Sequence, residues 1–374
     1  ELLECGSGLY SLKLDGNQKG WCIMGNTALV MSGGGAKGSF ELGAADYLIR
    51  DLKIDPNVIV GVSTGNLNAV MLAQGKGVDG LTEQLDALTG IWFGLKENDD
   101  VYYERFPGLV AKLLGAIFKA DSLYSNKPLW KLIQKHVDPA KLRSSGRILR
   151  IGVVGLMSGD FYPVDGSFSL IREMVRASAS IPVYFNPVEV GNYKANQTDW
   201  FVDGGVRDVT PLGAAFDALN ELKNASGQDD VATIYLILAS PLRCEKIVDY
   251  NKIDSGIEIM KRSLGLLINE IYRTDLEAAL NINAAVKYHR DLKSQNLNLP
   301  GGFPFEGYRF ANIVVIEPEK EYMDSLDFDP AKIKDAFAAG RDKARGAVQN
   351  ATQSGGTNIT TSMLKTGREV LKTP

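Results

Sequence analysis

The stretch VIVGVSTG, which runs from Val58 to Gly65, places a short apolar run directly before a Gly-x-Ser-x-Gly pattern. A helical pattern follows over residues 64–74, so the stretch predicts a buried strand that turns sharply into a helix. Upstream, TALVMS (residues 27–32) leads through a glycine cluster into a helical pattern over residues 39–52. Repeated strand-loop-helix units predict a mostly parallel sheet covered by helices.

The rest of the chain extends this α/β pattern. Further strands are predicted at Arg147–Leu156, Phe161–Val164, Trp200–Val202, Val231–Ala239 and Asn312–Glu317, and further helices at residues 81–137, 170–178, 256–290 and 330–350. No internal repeat or Pro-rich linker divides these elements. We therefore expect one domain over residues 27–350, with an N-terminal extension (1–26) and a loose, polar C-terminal tail (351–374).

Composition narrows the class of protein. The net charge is −4 over 374 residues, which argues against a nucleic-acid binder because such proteins usually carry a basic face. The three cysteines have no disulfide or metal spacing and favour a reducing compartment. No apolar run approaches the roughly 20 residues of a transmembrane helix, and no signal peptide is visible. We expect a cytoplasmic or peripherally membrane-associated protein; the four Asn-x-Ser/Thr sequons permit secretion but do not indicate it.

Ser63 is the candidate nucleophile. A nucleophile at a strand-to-helix junction must project from a tight, strained turn. Gly61 and Gly65 relieve the clashes that side chains would create there. The helix that starts at Thr64 also directs its N-terminal N–H groups toward the serine, which favours a developing anion. The alternative is a tight strand-helix turn with a capping serine.

The loop Gly33-Gly34-Gly35-Ala36-Lys37-Gly38 allows three interpretations. It resembles a dinucleotide-binding turn, but the second strand ends in Gly61-Val62-Ser63 and not in the acidic residue that this fold requires. It is also compatible with a glycine-rich helix cap. As an oxyanion hole, the amides of Gly34, Gly35 and Ala36 would converge on one point without obstruction by side chains. Lys37 would then support the loop or the negative charge.

Asp203, followed by Gly204 and Gly205, is the candidate base. A carboxylate at the end of a strand can accept the serine proton if burial raises its pKa. An ordinary Asp-Gly turn is the alternative. The chain has two histidines, His136 near the end of an amphipathic helix and His289 among basic residues that indicate a surface position. Neither pattern favours a catalytic imidazole, so a Ser63–Asp203 dyad remains.

In this order, the three elements resemble the patatin-like phospholipases, which combine a glycine-rich oxyanion loop, a Gly-x-Ser-x-Gly turn and an Asp-Gly-Gly/Ala motif. The segments Ala177–Phe185 and Asp327–Pro330 are similar to two further blocks of that family. The resemblance implies a three-layer α/β/α fold, with an α/β-hydrolase arrangement as the alternative. Lys37 stands where the family often has Arg, which keeps the charge but loses the planar fork.

The resemblance also implies an activity. Ser63 and Asp203 would hydrolyse a fatty-acyl ester through an acyl-enzyme, as a phospholipase A or lysophospholipase, without metal or other cofactor. The expected partners are a phospholipid or other acyl lipid and a transient membrane surface, but no nucleic acid. Whether an activating protein is also required is not indicated by the sequence. A non-enzymatic lipid- or acyl-carrier-binding module and a nucleotide-binding α/β protein are the competing interpretations.

Two apolar segments bear on the substrate. The material at residues 91–118 either lines an acyl pocket, contacts a bilayer surface or caps the core. Residues Ile257–Ile271 have near-helical apolar spacing, and we expect this helix to pack against the core in preference to facing a membrane.

Overall fold

The structure is a computed structural model. It describes residues 2–5, 9–14, 18–23, 26–105, 122–194, 197–226, 231–244, 247, 249, 255–297, 299, 301–359 and 364. The N-terminal strands β1 (Leu2–Cys5), β2 (Leu9–Leu14) and β3 (Gln18–Ile23) pair antiparallel in a small sheet of their own. The mixed sequence of residues 1–26 does not predict these strands.

The main sheet has eight strands in the part of the chain that the structure describes. They are β4 (Thr27–Met31), β5 (Val58–Val62), β8 (Ile148–Gly155), β9 (Phe161–Asp165), β10 (Val188–Lys194), β11 (Gln197–Asp203), β12 (Ala232–Ile237) and β13 (Ala311–Ile316), while β6 (Tyr103–Glu104) and β7 (Tyr124–Ser125) form a separate ladder. The strand order is β10-β11-β8-β5-β4-β12-β13, and β9 also pairs with β8. The run from β8 to β13 is parallel, whereas β9, β10 and β11 are antiparallel to their partners. The mostly parallel sheet is confirmed, although β10 was not predicted.

Helices follow the strands as the sequence predicts. They are α1 (Gly38–Asp46), α2 (Thr64–Leu72), α3 (Gly77–Gly94), α4 (Lys127–His136), α5 (Pro139–Ser144), α6 (Ile171–Ser178), α7 (Leu212–Ser226), α8 (Gly256–Ser294) and α9 (Pro330–Gln353). Helix α9 begins cleanly because the Asp329 carboxylate accepts from the amides of Ala331 and Lys332, each at 2.9 Å.

Alternate residues of the central strands pack into two separate hydrophobic cores, one on each face of the sheet. In β4, Leu29 and Met31 pack into a core with α1, α2, α3, α4, α6 and α9, whereas Ala28 and Val30 pack into a second core with α7 and α8. Because successive side chains of a strand point to opposite faces, a sheet that is apolar on both faces must be covered on both. The three-layer α/β/α architecture is thereby confirmed.

Helix α8 departs from the expectation for residues 257–271. Leu266, Leu267 and Ile268 are 47%, 62% and 41% exposed, so this part of the helix does not pack against the core, and burial begins at Tyr272. The periodicity could not distinguish these faces because apolar residues occur all round the helix. Among the described residues, no helix is both long and apolar enough to cross a membrane.

The start of the C-terminal tail is packed. Asn358 exchanges hydrogen bonds at 2.8 Å with the backbone of Val315, on the edge strand β13, and Ile359 is buried. The polar composition of this segment concealed the contact because an edge strand offers free backbone groups to any polar side chain.

Candidate active site

Ser63 occupies the turn between β5 and α2 in a left-handed conformation, with φ 53° and ψ −126°. A non-glycine residue at positive φ is strained, by roughly 1–3 kcal/mol, and persists only where its surroundings hold it. Here the Ser63 amide donates to Ser178 Oγ at 3.1 Å, and the Ser63 carbonyl accepts from Asn66 Nδ2 at 3.2 Å. These buried contacts hold the serine at the carboxyl end of β5.

The glycines of the turn are required by close backbone packing. A Cβ on Gly61 would lie 2.5 Å from the Gly65 carbonyl oxygen, and a Cβ on Gly65 would overlap the carbonyl oxygen of Ser32. The Gly65 amide donates to that same Ser32 oxygen at 3.1 Å. Strand β4 and helix α2 therefore approach so closely that only glycine fits between them.

The glycine loop lies beside Ser63. A Cβ on Gly33 would be 3.1 Å from the Ser63 Cβ. The amides of Gly34 and Gly35 have no acceptor among the described residues, whereas the Ala36 amide donates to the Ser325 carbonyl at 2.8 Å. Two of the three predicted oxyanion donors are thus unoccupied. Ala36 is engaged in holding the loop to the segment before α9, a long-range contact that the loop sequence does not indicate.

Tyr272 of α8 orients the loop. Its buried hydroxyl donates to the carbonyl of Gly33 and also contacts Ser32 Oγ. Burial raises the pKa of Tyr272, so the hydroxyl stays protonated as a donor. In a trans peptide the carbonyl and the following N–H point in opposite directions, so fixing the Gly33 carbonyl also fixes the direction of the Gly34 N–H. Sequence reasoning missed this residue, because a tyrosine within a long helix carries no local signal of such a contact.

Lys37 and Gly38 tie the loop to its surroundings. Lys37 Nζ donates to Ser240 Oγ at 3.0 Å and pairs with Glu321 at 2.7 Å. A Cβ on Gly38 would overlap Thr64 Oγ1, so the starts of α1 and α2 are in direct contact. The lysine supports the loop through these side chains.

Asp203 reaches the same level of the sheet as Ser63. Val62 of β5 is paired with Gly152 of β8, and the next residue of β8, Val153, is paired with Asp203 of β11. The backbones of Ser63 and Asp203 therefore lie opposite each other across β8. They are two strand spacings, or about 10 Å, apart along the sheet. Gly204 allows this approach, because a Cβ there would lie 2.5 Å from the Gly152 carbonyl oxygen.

The Asp203 carboxyl is buried and only half satisfied. Oδ1 accepts from the Gly205 amide at 2.8 Å, while Oδ2 has no hydrogen bond of standard geometry within the described residues. Burial raises the pKa of Asp203 from its ordinary value of 3.8 to about 7, and the Ser63 hydroxyl and the Gly205 amide limit the rise. The Ser63 hydroxyl interacts with this carboxyl, and Oδ2 is available as an acceptor. The raised pKa suits general-base chemistry near neutral pH.

Neither histidine is hydrogen-bonded to Ser63 or Asp203 in the part of the chain that the structure describes. His136 is the last residue of α4, where burial and Lys135 lower its pKa. His289 is buried, not at the surface as its basic neighbours suggested, and its ring stacks on Phe303 with centroids 4.1 Å apart. The predicted surface position of His289 was wrong, because its aromatic partner Phe303 lies in a loop beyond the helix, outside the local sequence pattern.

An apolar cavity of about 110 Å³ opens at Ser63 and Gly35. Its walls are almost entirely hydrophobic, with side chains from α2, α3, α4 and the segment before α9, among them Leu88, Ile91, Trp92, Val101, Leu129, Ile133, Phe185 and Phe328. His136 lies at its boundary. Ile91, Trp92 and Val101 thus agree with the acyl-pocket interpretation of residues 91–118, whereas Phe106 and Leu109–Phe118 lie outside the described residues.

Comparison with known proteins identifies a family for the part of the chain that carries these motifs. Residues 29–216, which contain all three motifs, match the sequence model of the patatin-like phospholipases. Curated protein sequences yield no significant match.

Similar solved structures include VipD from Legionella pneumophila, with 15% identity, 92% of this chain and 70% of that chain covered, and a TM-score of 0.43. The heterodimeric ExoU–SpcU complex from the type III secretion system of Pseudomonas aeruginosa has 14% identity, coverage of 94% and 57%, and a TM-score of 0.34. The type III effector ExoU alone has 14% identity, with 94% of this chain and 59% of that chain covered, and a TM-score of 0.29. The chain thus spans less than two thirds of the two ExoU chains.

Proposed function

Because this chain belongs to the patatin-like phospholipase family, and is accordingly a lipid acyl hydrolase, we propose that it cleaves fatty-acyl esters of phospholipids or lysophospholipids through a Ser63–Asp203 dyad. The observation that carries the proposal is the buried Asp203 carboxyl. The Ser63 hydroxyl, held in a strained turn, interacts with this carboxyl, and one carboxyl oxygen has no hydrogen bond of standard geometry among the described residues. Burial raises the pKa of Asp203 to about 7.

The reaction follows from these positions. Ser63 Oγ attacks the acyl carbonyl while Asp203 takes the hydroxyl proton. The amides of Gly34 and Gly35 stabilise the tetrahedral oxyanion, and the proton returns to the leaving alkoxide as the acyl-enzyme forms. A water molecule then gives a proton to Asp203 as its oxygen attacks the acyl-enzyme. When the bond between the acyl carbon and Ser63 Oγ breaks, Asp203 returns the proton to Oγ, which releases the fatty acid and restores Ser63.

The apolar cavity supports an acyl substrate. Since it opens at Ser63 and is lined by aliphatic and aromatic side chains, an acyl chain in the cavity would leave its ester carbonyl next to the free amides. A volume of about 110 Å³ is below the ~150 Å³ of an engineered cavity that holds benzene, so a long chain would project from it or require its walls to move.

A fluorophosphonate probe tests the nucleophile. We expect labelling of the wild type and of Ser167→Ala, which changes an exposed serine, but not of Ser63→Ala. Absence of wild-type labelling, or equal labelling of Ser63→Ala, would refute the dyad and leave a binding protein as the better interpretation.

Hydrolysis of a short-chain ester tests the base. Asp203→Asn should lose activity by roughly 10³-fold or more, because the base and nucleophile act as a unit. His136→Ala and His289→Ala should each keep most of the activity, and a large loss in His289→Ala would overturn the histidine-free mechanism. A lipid panel analysed by mass spectrometry, with Ser63→Ala as the blank, then identifies the acyl lipid.

A further inference from the structure

A second cavity, of about 340 Å³, lies where the β6–β7 ladder meets the start of α4 and the end of α6. Three cationic side chains line it, those of Arg105, Lys127 and Arg176. The other lining residues are Tyr103, Ser125, Asn126 and Asn186, and no carboxylate lines it among the described residues. This cationic pocket therefore carries a concentrated positive charge and favours an anion.

Arg176 is the central group of the cationic pocket. Its Nε and Nη2 donate to Asn126 Oδ1 at 3.2 and 2.9 Å, and its guanidinium lies over the Trp130 ring, 5.3 Å from the centroid. These partners are neutral. Burial lowers the pKa of Arg176, and no carboxylate in the described part of the chain offsets this effect.

A partly desolvated guanidinium without a counter-ion is costly to maintain. An anionic ligand would remove that cost, and the planar fork of arginine matches the oxygens of a phosphate. Lys127 is exposed at the first turn of α4 and adds a flexible second cation. Arg105 also lines the pocket and donates to Asn186 Oδ1 at 3.0 Å.

The cationic pocket adjoins the machinery around Ser63. The Val175 carbonyl, directly before Arg176, accepts from Asn66 Nδ2 at 2.9 Å, and Ser178 Oγ, two residues after it, accepts from the Ser63 amide. On the other side, Asn126 Nδ2 donates to Ser180 Oγ at 3.2 Å, and the Ser180 carbonyl accepts from the Asp203 amide at 3.0 Å. The pocket is thus connected to both members of the dyad through short polar contacts.

The same chain segments line both the cationic pocket and the apolar cavity. Leu129 and Phe185 line the apolar cavity, while their near neighbours Asn126 and Asn186 line the cationic pocket. The two spaces therefore adjoin each other, and the apolar cavity opens at Ser63. An amphiphile with an apolar chain and an anionic head matches this pairing of environments.

We propose that the cationic pocket binds the phosphate of a glycerophospholipid head group while an acyl chain occupies the apolar cavity, which makes Arg176 and Lys127 determinants of specificity for phospholipids over neutral lipids. This assignment rests on the proposed acyl hydrolase function. The shared chemistry is a phosphate monoanion or dianion, so a free phosphate is the other source that an experiment must separate.

Kinetics with two matched substrates test the assignment. Dihexanoylphosphatidylcholine and dihexanoylglycerol carry the same acyl chains and differ in the phosphate head group. We expect Lys127→Gln and Arg176→Gln to raise KM for the phospholipid roughly tenfold or more, since charge-assisted hydrogen bonds are lost, with kcat/KM for dihexanoylglycerol within about twofold of wild type. Arg176→Lys should fall between, because it keeps the charge without the fork. Lys131→Gln, an exposed lysine one turn further along α4, is the matched control and should change neither substrate.

Equal losses on both substrates in Lys127→Gln and Arg176→Gln, or no loss on either, would overturn the phosphate assignment while leaving the hydrolase intact. If wild type cleaves neither substrate, the proposed function itself fails, and calorimetry on Ser63→Ala still decides the pocket. There, binding of dihexanoylphosphatidylcholine that is weakened by Arg176→Gln supports the assignment. Binding of inorganic phosphate alone, with the same Arg176 dependence, would make the pocket a site for a free anion and refute the lipid head group.

Discussion

Replacing Asp203 by asparagine should abolish activity and also remove a pH-dependent cost to stability. Burial raises the pKa of Asp203 from 3.8 to about 7. Between these values the unfolded chain has lost the proton while the folded protein keeps it, so stability falls as pH rises. Each pH unit costs about 1.4 kcal/mol, which amounts to about 4 kcal/mol over the whole interval. Asparagine does not titrate, so this cost is absent from the variant.

Urea unfolding of wild type and Asp203→Asn, followed by circular dichroism at several pH values, measures the effect. The free energy of unfolding of the variant relative to wild type should increase by about 2.5 kcal/mol between pH 5 and pH 7 and level off above. The slope is the informative quantity, because any fixed penalty of the amide cancels from it. Ser63→Ala is the control, since it is inactive but keeps the buried Asp203, and its stability should still fall as pH rises from 5 to 7.

The same ionisation sets the activity profile. Because the base must be unprotonated, kcat/KM for a short-chain ester should fall about tenfold for each pH unit below about 7 and reach a plateau above. A variant-to-wild-type difference that is the same at pH 5 and pH 7, together with a flat kcat/KM profile, would refute the buried, proton-binding Asp203 on which the mechanism depends.

Three further outcomes follow from other contacts. Tyr272→Phe should lower kcat by roughly 10-fold or more with little change in KM, because the Gly33–Gly34 peptide loses its orientation. One oxyanion donor is worth about 10²–10³ in kcat. An unchanged kcat would show that Tyr272 does not support the loop. Leu129→Trp should fill the apolar cavity and reduce the ratio of kcat/KM for p-nitrophenyl octanoate over p-nitrophenyl butyrate, whereas an unchanged ratio would place the acyl chain elsewhere. In thermal unfolding, Gly43→Ala should destabilise the protein because its Cβ would overlap the Phe337 carbonyl. Gly90 is exposed in α3 with open space around it, so Gly90→Ala should stabilise the protein by about 1 kcal/mol. Equal effects of the two substitutions would contradict the close packing of α1 on α9.

Much of the fold was predictable because its signals are local. The apolar runs before Gly33 and Ser63, the glycines around them and the helical patterns that follow are all set within about ten residues along the chain. Two expectations failed because they depend on contacts between residues that are distant in sequence. The exposed face of α8 at Leu266–Ile268 and the buried ring of His289 both depend on what lies opposite the helix.

The sequence by itself determined the nucleophile candidate, the glycine loop and the Asp203 motif, since a strained turn, free amides and a strand-end carboxylate each require particular residues at short spacing. Only the tertiary structure placed Ser63 and Asp203 at one level across β8, engaged the Ala36 amide and left the Gly34 and Gly35 amides without an acceptor among the described residues. It also brought Tyr272 to Gly33, 239 residues away in sequence. Contacts of this kind arise from strand order and helix packing, which bring distant residues together without leaving a periodic or compositional trace at either end.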